Sequence, residues 1–321
     1  MSQVLKLASV GQTTEDLAKQ IAWYCKTLGF RLINQERIDH PSLGALVGSP
    51  GAVVERARLA LGQEILELWA FEAEQESRAS WQAGEAIPAD SQSNDLWFQH
   101  ICIVVSDLDK AFGMGANQAE QISTAPQTLP SWNQGAANIQ AVKFKDPAGH
   151  ALEILEFPPD KGAERWHLPN PPLFMGLDHT AIGIGDTAKS VDFYQGLLGL
   201  ELVGQGINHG PEQDHMDGLA DTKVVISSLR PKEQGMGIEF LDYQQPNSQR
   251  RPRQNPQATD LNEWRTTLIV EDLPGLHERL SQTNAVDSLG PLVSLPTALW
   301  EGSQGCQVRD PDGHALLLIG A

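Results

Sequence analysis

The sequence predicts an α+β fold built from four copies of one module: a strand, a helix, then several strands. Pairs of modules share a concave sheet, with the helices outside. Three internal likenesses predict this. VGQTTEDLAKQIAWYCKTLGFRLI lies over AIGIGDTAKSVDFYQGLLGLELV, VKFKDPAGHALEILEF over CQVRDPDGHALLLIG, and NDLWFQHICIVVSDL over TDLNEWRTTLIVEDL. A module alone is too small to bury both faces of its sheet, so modules must share one.

Module one, about residues 4–72, carries the aromatic pair Trp23-Tyr24 on its helix and Gly29 just after it. Glycine there suits the left-handed conformation that ends a helix. Module two, about 96–158, aligns Asp107 before its helix and finishes in an Asp-Pro-x-Gly hairpin. Module three, about 174–243, repeats the first pattern with Phe193-Tyr194 and Gly199. Module four, about 261–321, sets Asp272 where module two has Asp107 and ends in the second such hairpin. Polar, Pro-containing stretches separate the modules: EAEQESRASWQAGEAIPADSQSN, PPDKGAERWHLPNPP and YQQPNSQRRPRQNPQA. His150 and His314 follow the hairpin glycines and are taken as turn residues.

A length of 321 residues allows one large or two ordinary cores, and two domains are expected, 1–160 and 174–321, each holding two modules. The net charge of −18 opposes binding to nucleic acid and to anionic membranes, leaving a small-molecule substrate or protein partners. The basic run SQRRPRQNP reads as a solvated linker. Cys25, Cys102 and Cys306 are too widely spaced for a disulfide framework or a Cys-x-x-Cys metal site, and read as small buried hydrophobes in a reducing cytoplasm. The N-terminal apolar run is too short for a signal peptide, and no stretch approaches a membrane span. Both cups can close within one chain, so a monomer or homodimer is expected.

Four βαβββ modules, with a histidine on a first strand and Asp-Pro-x-Gly before a last one, resemble the vicinal oxygen chelate superfamily. That group includes glyoxalase I, extradiol dioxygenases, methylmalonyl-CoA epimerases and bleomycin resistance proteins, and the resemblance covers nearly the whole chain. It implies two cup-shaped mixed sheets and a divalent metal ion held by side chains from the first and last strands of two modules. It also implies a substrate that meets the ion through adjacent oxygens.

Carried onto this chain, the resemblance gives His100 and His179 as first-strand ligands, each seven residues before an aspartate, Asp107 and Asp186. Ser9 and Arg265 fill that place in modules one and four. The last-strand ligands are Glu153 and Glu239, with Glu67 as an alternative and Leu317 in module four. Alternation along a strand agrees: Glu153 shares a face with Leu155 and Phe157 while Leu152 and Ile154 take the other. A carboxylate buried there without a partner costs on the order of 3–5 kcal/mol, so Glu153 calls for a cation. Glu239 is flanked by Ile238 and Phe240, and His179 shares its face with Ala181 and Gly183, which leave room above the sheet.

Two pairings are open. If modules two and three share a cup, His100, Glu153, His179 and Glu239 surround one octahedral ion, and the cup with Ser9, Glu67, Arg265 and Leu317 is inactive. If neighbours pair, one cup holds Glu67, His100 and Glu153, and in the other Arg265 could neutralise Glu239. The concentration of ligands in the middle modules favours the first.

The resemblance implies a metal-dependent enzyme, with Ni²⁺, Zn²⁺, Co²⁺, Mn²⁺ or Fe²⁺, in which Glu153 or Glu239 moves a proton through a metal-bound enediolate. A lyase, isomerase or epimerase follows. An Fe(II) extradiol-type dioxygenase is the alternative, with His209 and His215 available as acid or base, although Arg265 and Leu317 stand against the usual ring-cleaving arrangement. A third reading is a non-catalytic drug-binding protein whose pocket is lined by Trp97, Trp132, Trp264 and Trp300.

Overall fold

In the computed structural model, residues 3–73, 84–246 and 250–321 are described. Four short helices begin at the aligned aspartates. Asp16, Asp107, Asp186 and Asp272 each accept the backbone N–H three residues on, from Lys19, Lys110, Lys189 and Gly275, so the recurring aspartate is an N-cap. Gly29 (φ 70°) and Gly199 (φ 77°) take the left-handed conformation after the first and third helices, as expected. The third helix is α only over Thr187–Val191 and continues as a π-helix over Asp192–Leu197.

The strands form two curled mixed sheets. One runs, in hydrogen-bonded order, Ser288–Leu289, Gln304–Arg309, Ala315–Gly320, Trp264–Val270, Val4–Thr13, Glu64–Ala73, Ala52–Leu61 and Arg31–Ile38. The other runs Glu201–His209, Lys223–Arg230, Gly237–Gln245, Phe174–Gly183, Phe98–Val105, Ala151–Glu156, Gln140–Lys145 and Gln127–Thr128. Modules one and four therefore share the first sheet, and modules two and three the second. First strands meet antiparallel at each centre, and every last strand lies parallel to its own module's first. Each sheet thus draws one module from each half of the chain.

Strand alternation sends one set of side chains, Val10, Leu59, Ile101 and Leu268 among them, into a core common to both sheets, where Tyr24 and Phe193 join from the helices. The opposite faces line the cups. Among the described residues no helix is long and apolar enough to cross a membrane.

Two features differ from the sequence reading. His150 and His314 are buried and join modules, because their backbone turns place them at the seam between the sheets. His150 Nε2 lies 2.7 Å from the Leu261 carbonyl oxygen, and His314 Nε2 lies 2.8 Å from that of Gly183. The hairpin aspartates also collect partners across a module boundary: Tyr24 donates to Asp146 and Tyr194 to Asp310, each at 3.0 Å. The basic run is likewise tethered rather than solvated, since acidic side chains face it. Arg250 pairs with Asp242, Arg251 with Asp90 and Asp95, and Arg253 with Asp260 and Glu263.

Candidate metal site

The first strands of modules two and three lie side by side, so that Cys102 faces His179 and His100 faces Ala181 across the ladder. Glu153 comes in from the last strand beside Phe98–Val105, and Glu239 from the last strand beside Phe174–Gly183. Two imidazoles and two carboxylates therefore meet above the middle of one sheet. His100 Nε2 lies 3.3 Å from Glu153 Oε2, and His179 Nε2 lies 3.4 Å from Glu239 Oε2, with the two rings 5.7 Å apart. One ligand atom each of His100, Glu153 and His179 falls within 4.8 Å of the others.

Their surroundings suit a cation. His100 Nε2 is buried with no hydrogen-bond partner among the described residues, a lone-pair donor aimed at the carboxylate opposite. Burial pushes the His100 imidazole well below its usual range, with Lys143 and His179 adding to the effect, so the ring is neutral and able to donate that lone pair. Burial also lowers His179, but Glu239, Asp178 and Glu153 together outweigh it and raise the ring above its usual value. Burial raises the Glu153 carboxyl, with Lys143 and His179 opposing and Glu239 and Asp217 adding. Four nitrogen and oxygen donors of this kind fit a divalent transition ion with water or substrate completing its sphere.

A set of orienting groups surrounds them, and sequence reading missed it. His179 Nδ1 contacts Asp178 at 3.0 Å, and Asp178 is itself held by Arg230 and by the Trp166 indole. His100 Nδ1 faces the side-chain amide oxygen Oε1 of Gln99, which also accepts from Lys143 Nζ at 3.0 Å. Lys143 is buried against Asp217 at 2.7 Å, and Tyr243 and Gln213 donate to the same carboxylate. Asp178 and Gln99 could have been found as sequence neighbours of the histidines. Lys143 could have been found by counting equally outward from the hairpin turn, which pairs it with Glu153.

The family profile for the glyoxalase/bleomycin resistance protein/dioxygenase superfamily matches residues 6–154 and again 176–318. The chain belongs to that superfamily. Among solved structures, glyoxalase I from Zea mays is similar over 100% of this chain and 92% of that chain, at 14% identity and a TM-score of 0.59. An inferred dioxygenase from Bacillus subtilis is similar over 100% of this chain and 86% of that chain, at 14% identity and a TM-score of 0.58. Identities this low speak for the fold alone. No protein of curated function matches.

The other cup, built by modules one and four, is chemically different. Ser9 and Glu67 line it; Glu67 lies 3.7 Å from Arg56 and 3.4 Å from Arg58, and also accepts the Trp69 indole N–H. Arg265 is in this sheet and not beside Glu239. It is buried against the Trp69 ring and donates to Thr13 and to the Ala258 carbonyl. Leu317 is buried apolar filling. Guanidinium groups thus hold Glu67 where a metal would need it free.

The cup of modules two and three opens into a cavity of about 930 Å³ lined by His100, Glu153, His179 and Glu239, with an apolar wall that includes Leu129, Ile139, Leu155, Phe157 and Met216. None of the four candidate tryptophans lines it. Trp264 stacks on Phe98, Trp97 and Trp300 pack on arginines, and Trp132 stacks on His209. His209 and His215 also lie outside the cavity lining.

Proposed function

We propose that this chain is a divalent-metal-dependent enzyme that moves a proton between adjacent carbons of a small substrate bearing vicinal oxygens, as a lyase, isomerase or epimerase. The observation that carries this reading is the unpartnered, buried Nε2 of His100 facing Glu153 within a set of two histidines and two glutamates. His100, His179, Glu153 and Glu239 would hold the ion, which when bound polarises a substrate oxygen and acidifies the neighbouring C–H. Glu153 and Glu239 enter from opposite modules, so one carboxylate oxygen can take a proton from one carbon and return it to the next. Asp178 and Gln99 fix the two rings. The apolar wall of Leu129, Ile139, Leu155, Phe157 and Met216 excludes water and holds the substrate's carbon skeleton.

The halves 1–160 and 174–321 read as two glyoxalase-like domains that exchange modules to build both cups. Three unpaired cysteines fit a reducing, cytoplasmic setting, and both sheets close within one chain, in keeping with a monomer or homodimer.

Metal analysis of purified protein tests the reading first, with about one equivalent of a transition ion expected. Less than about a tenth of an equivalent, with none taken up on dialysis, overturns it. Substrate C–H exchange comes next: hemithioacetals and α-hydroxyketones incubated in deuterated water are expected to gain deuterium beside the carbonyl, and to lose that gain in E153Q or E239Q. One observation favours a second reading: His100, Glu153 and His179 form a compact set of two histidines and one carboxylate, as an Fe(II) dioxygenase uses. Oxygen uptake with catechols, without exchange, would select it.

A further inference from the structure

The two carboxylates of the metal site have unequal partners. Each last-strand position faces one residue of the preceding strand across the ladder: Lys143 opposite Glu153, Ser228 opposite Glu239, Arg58 opposite Glu67 and Gln307 opposite Leu317. The four modules thus offer an internal comparison at one structural position. Glu239 Oε1 accepts a hydrogen bond from the Ser228 hydroxyl at 2.6 Å, which takes none of its charge and leaves Oε2 toward His179. Glu67, in the cup that has lost both first-strand histidines, is matched by two guanidinium groups.

Glu153 stands between these extremes. Its Oε2 lies 3.8 Å from the Lys143 ammonium, and the same Oε2 is the atom facing His100 Nε2. Lys143 is 3% exposed and fixed by Asp217 at 2.7 Å and Gln99 at 3.0 Å, so it cannot withdraw from the carboxylate without breaking both contacts.

Resting on the metal-dependent reading above, we infer that Lys143 makes Glu153 the displaceable member of the donor set, leaving His100, His179 and Glu239 as the fixed ligands. An oxygen shared with an ammonium donates less charge to an ion. When Glu153 leaves the ion, the Lys143 ammonium, which Asp217 shares, stays beside it, so the carboxylate keeps a cationic neighbour. Glu239 has a hydroxyl in that place, and among the described residues no lysine or arginine pairs with it to meet its charge on departure. Lys143 is therefore a positioning residue acting through Glu153, and Glu153 is the carboxylate free to carry a proton.

The experiment is Co²⁺ binding, by calorimetry and visible absorption, to the full chain, E153Q, E239Q, the charge-pair deletion K143M/D217N, and that deletion combined with E153Q. Removing Lys143 and Asp217 together avoids leaving either charge buried alone; K143Q, read the same way, replaces it if the double variant does not fold. E239Q is expected to weaken Co²⁺ at least about tenfold more than E153Q, and the lysine-free variant to bind several-fold more tightly than wild type, because Glu153 Oε2 no longer shares its charge with an ammonium while the paired deletion leaves the net charge unchanged. That gain should vanish when Glu153 is already glutamine, the mark of an effect routed through it. E153Q as damaging as E239Q, or a lysine-free variant that binds no more tightly, overturns the inference while leaving the metal site intact. Wild-type protein that binds no Co²⁺ overturns the functional reading, and this inference with it.

Discussion

Asp178 and His179, consecutive on one strand, are joined through their side chains, carboxylate Oδ2 to imidazole Nδ1 at 3.0 Å. The bond fixes the ring so that Nε2 looks toward Glu239, and Asp178 is itself pinned by Arg230 at 2.7 Å and by the Trp166 indole at 3.0 Å. Burial alone would raise the Asp178 carboxyl, but the His179 hydrogen bond and Arg230 hold it far below the usual range, so it remains an anion. Such a carboxylate sets the orientation and basicity of a ligating histidine. D178N is expected to weaken Zn²⁺ binding about 10–100-fold in chelator competition, the usual cost of losing an orienting partner. Unchanged affinity would remove this role from Asp178.

The cup of modules one and four gives a prediction about stoichiometry. With Glu67 held by Arg56 and Arg58, and no imidazole at Ser9 or Arg265, the chain should bind one transition ion and not two. E67Q should leave that ratio unchanged, whereas H100A or H179A should abolish it, as read by metal analysis after gel filtration. R56M should unfold earlier. Arg56 is buried between Glu36 at 2.7 Å, the Leu299 carbonyl at 2.6 Å and the Trp300 ring, so its loss strands acidic groups at a cost of about 3–5 kcal/mol in urea denaturation.

Repetition made the four modules legible, and it also made His100 and His179 legible, because each stands at a fixed distance before an N-cap aspartate. Glu153 announced itself as a carboxylate between hydrophobes in need of a cation, and the structure supplies one in Lys143. That lysine is hard to read from the sequence because a cation in a strand looks solvent-facing until the hairpin register sets it opposite Glu153. Module pairing depends on contacts between first strands far apart in sequence, Phe98–Val105 against Phe174–Gly183, which local pattern does not encode; the concentration of ligand residues in the middle modules pointed to it. The hairpin histidines were misjudged for a related reason. Their partners, Leu261 and Gly183, come from other modules.

The Asp146–His150 pair gives a pH dependence away from the candidate metal site. Burial raises the Asp146 carboxyl, but His150 through its charge and hydrogen bonds, with Gln12, outweighs this and holds it below its usual 3.8. Burial lowers His150, but Asp146 outweighs it and raises the ring above 6.5. The carboxylate's contribution is therefore complete above about pH 4 and lost as pH falls through its lowered value. The imidazolium's is complete below 6.5 and lost as pH rises through its raised value. The difference in melting temperature between wild type and H150Q should be largest between about pH 4 and 6.5 and narrow above, each unit of elevation being worth about 1.4 kcal/mol. A difference that stays flat from about pH 5 to about pH 9 would mean that His150 is neutral in the folded chain.

The two buried tyrosines at the module seams look equivalent in sequence but should not respond alike to loss of the hydroxyl. Asp146 Oδ2 receives Tyr24 at 3.0 Å together with Gln12, Gln20 and His150, so Y24F leaves that oxygen well supplied. Asp310 Oδ2 receives Tyr194 at 3.0 Å, while the backbone N–H groups of Asp312 and His314 go to Oδ1. Y194F therefore leaves a fully buried carboxylate oxygen without its donor, and desolvation of an unsatisfied charged group is the more expensive loss. The expected costs are about 1 kcal/mol for Y24F and about 2–3 kcal/mol for Y194F in denaturant titrations at neutral pH. Equal costs, or a larger one for Y24F, would show that the hydroxyls serve packing and not the satisfaction of the hairpin aspartates.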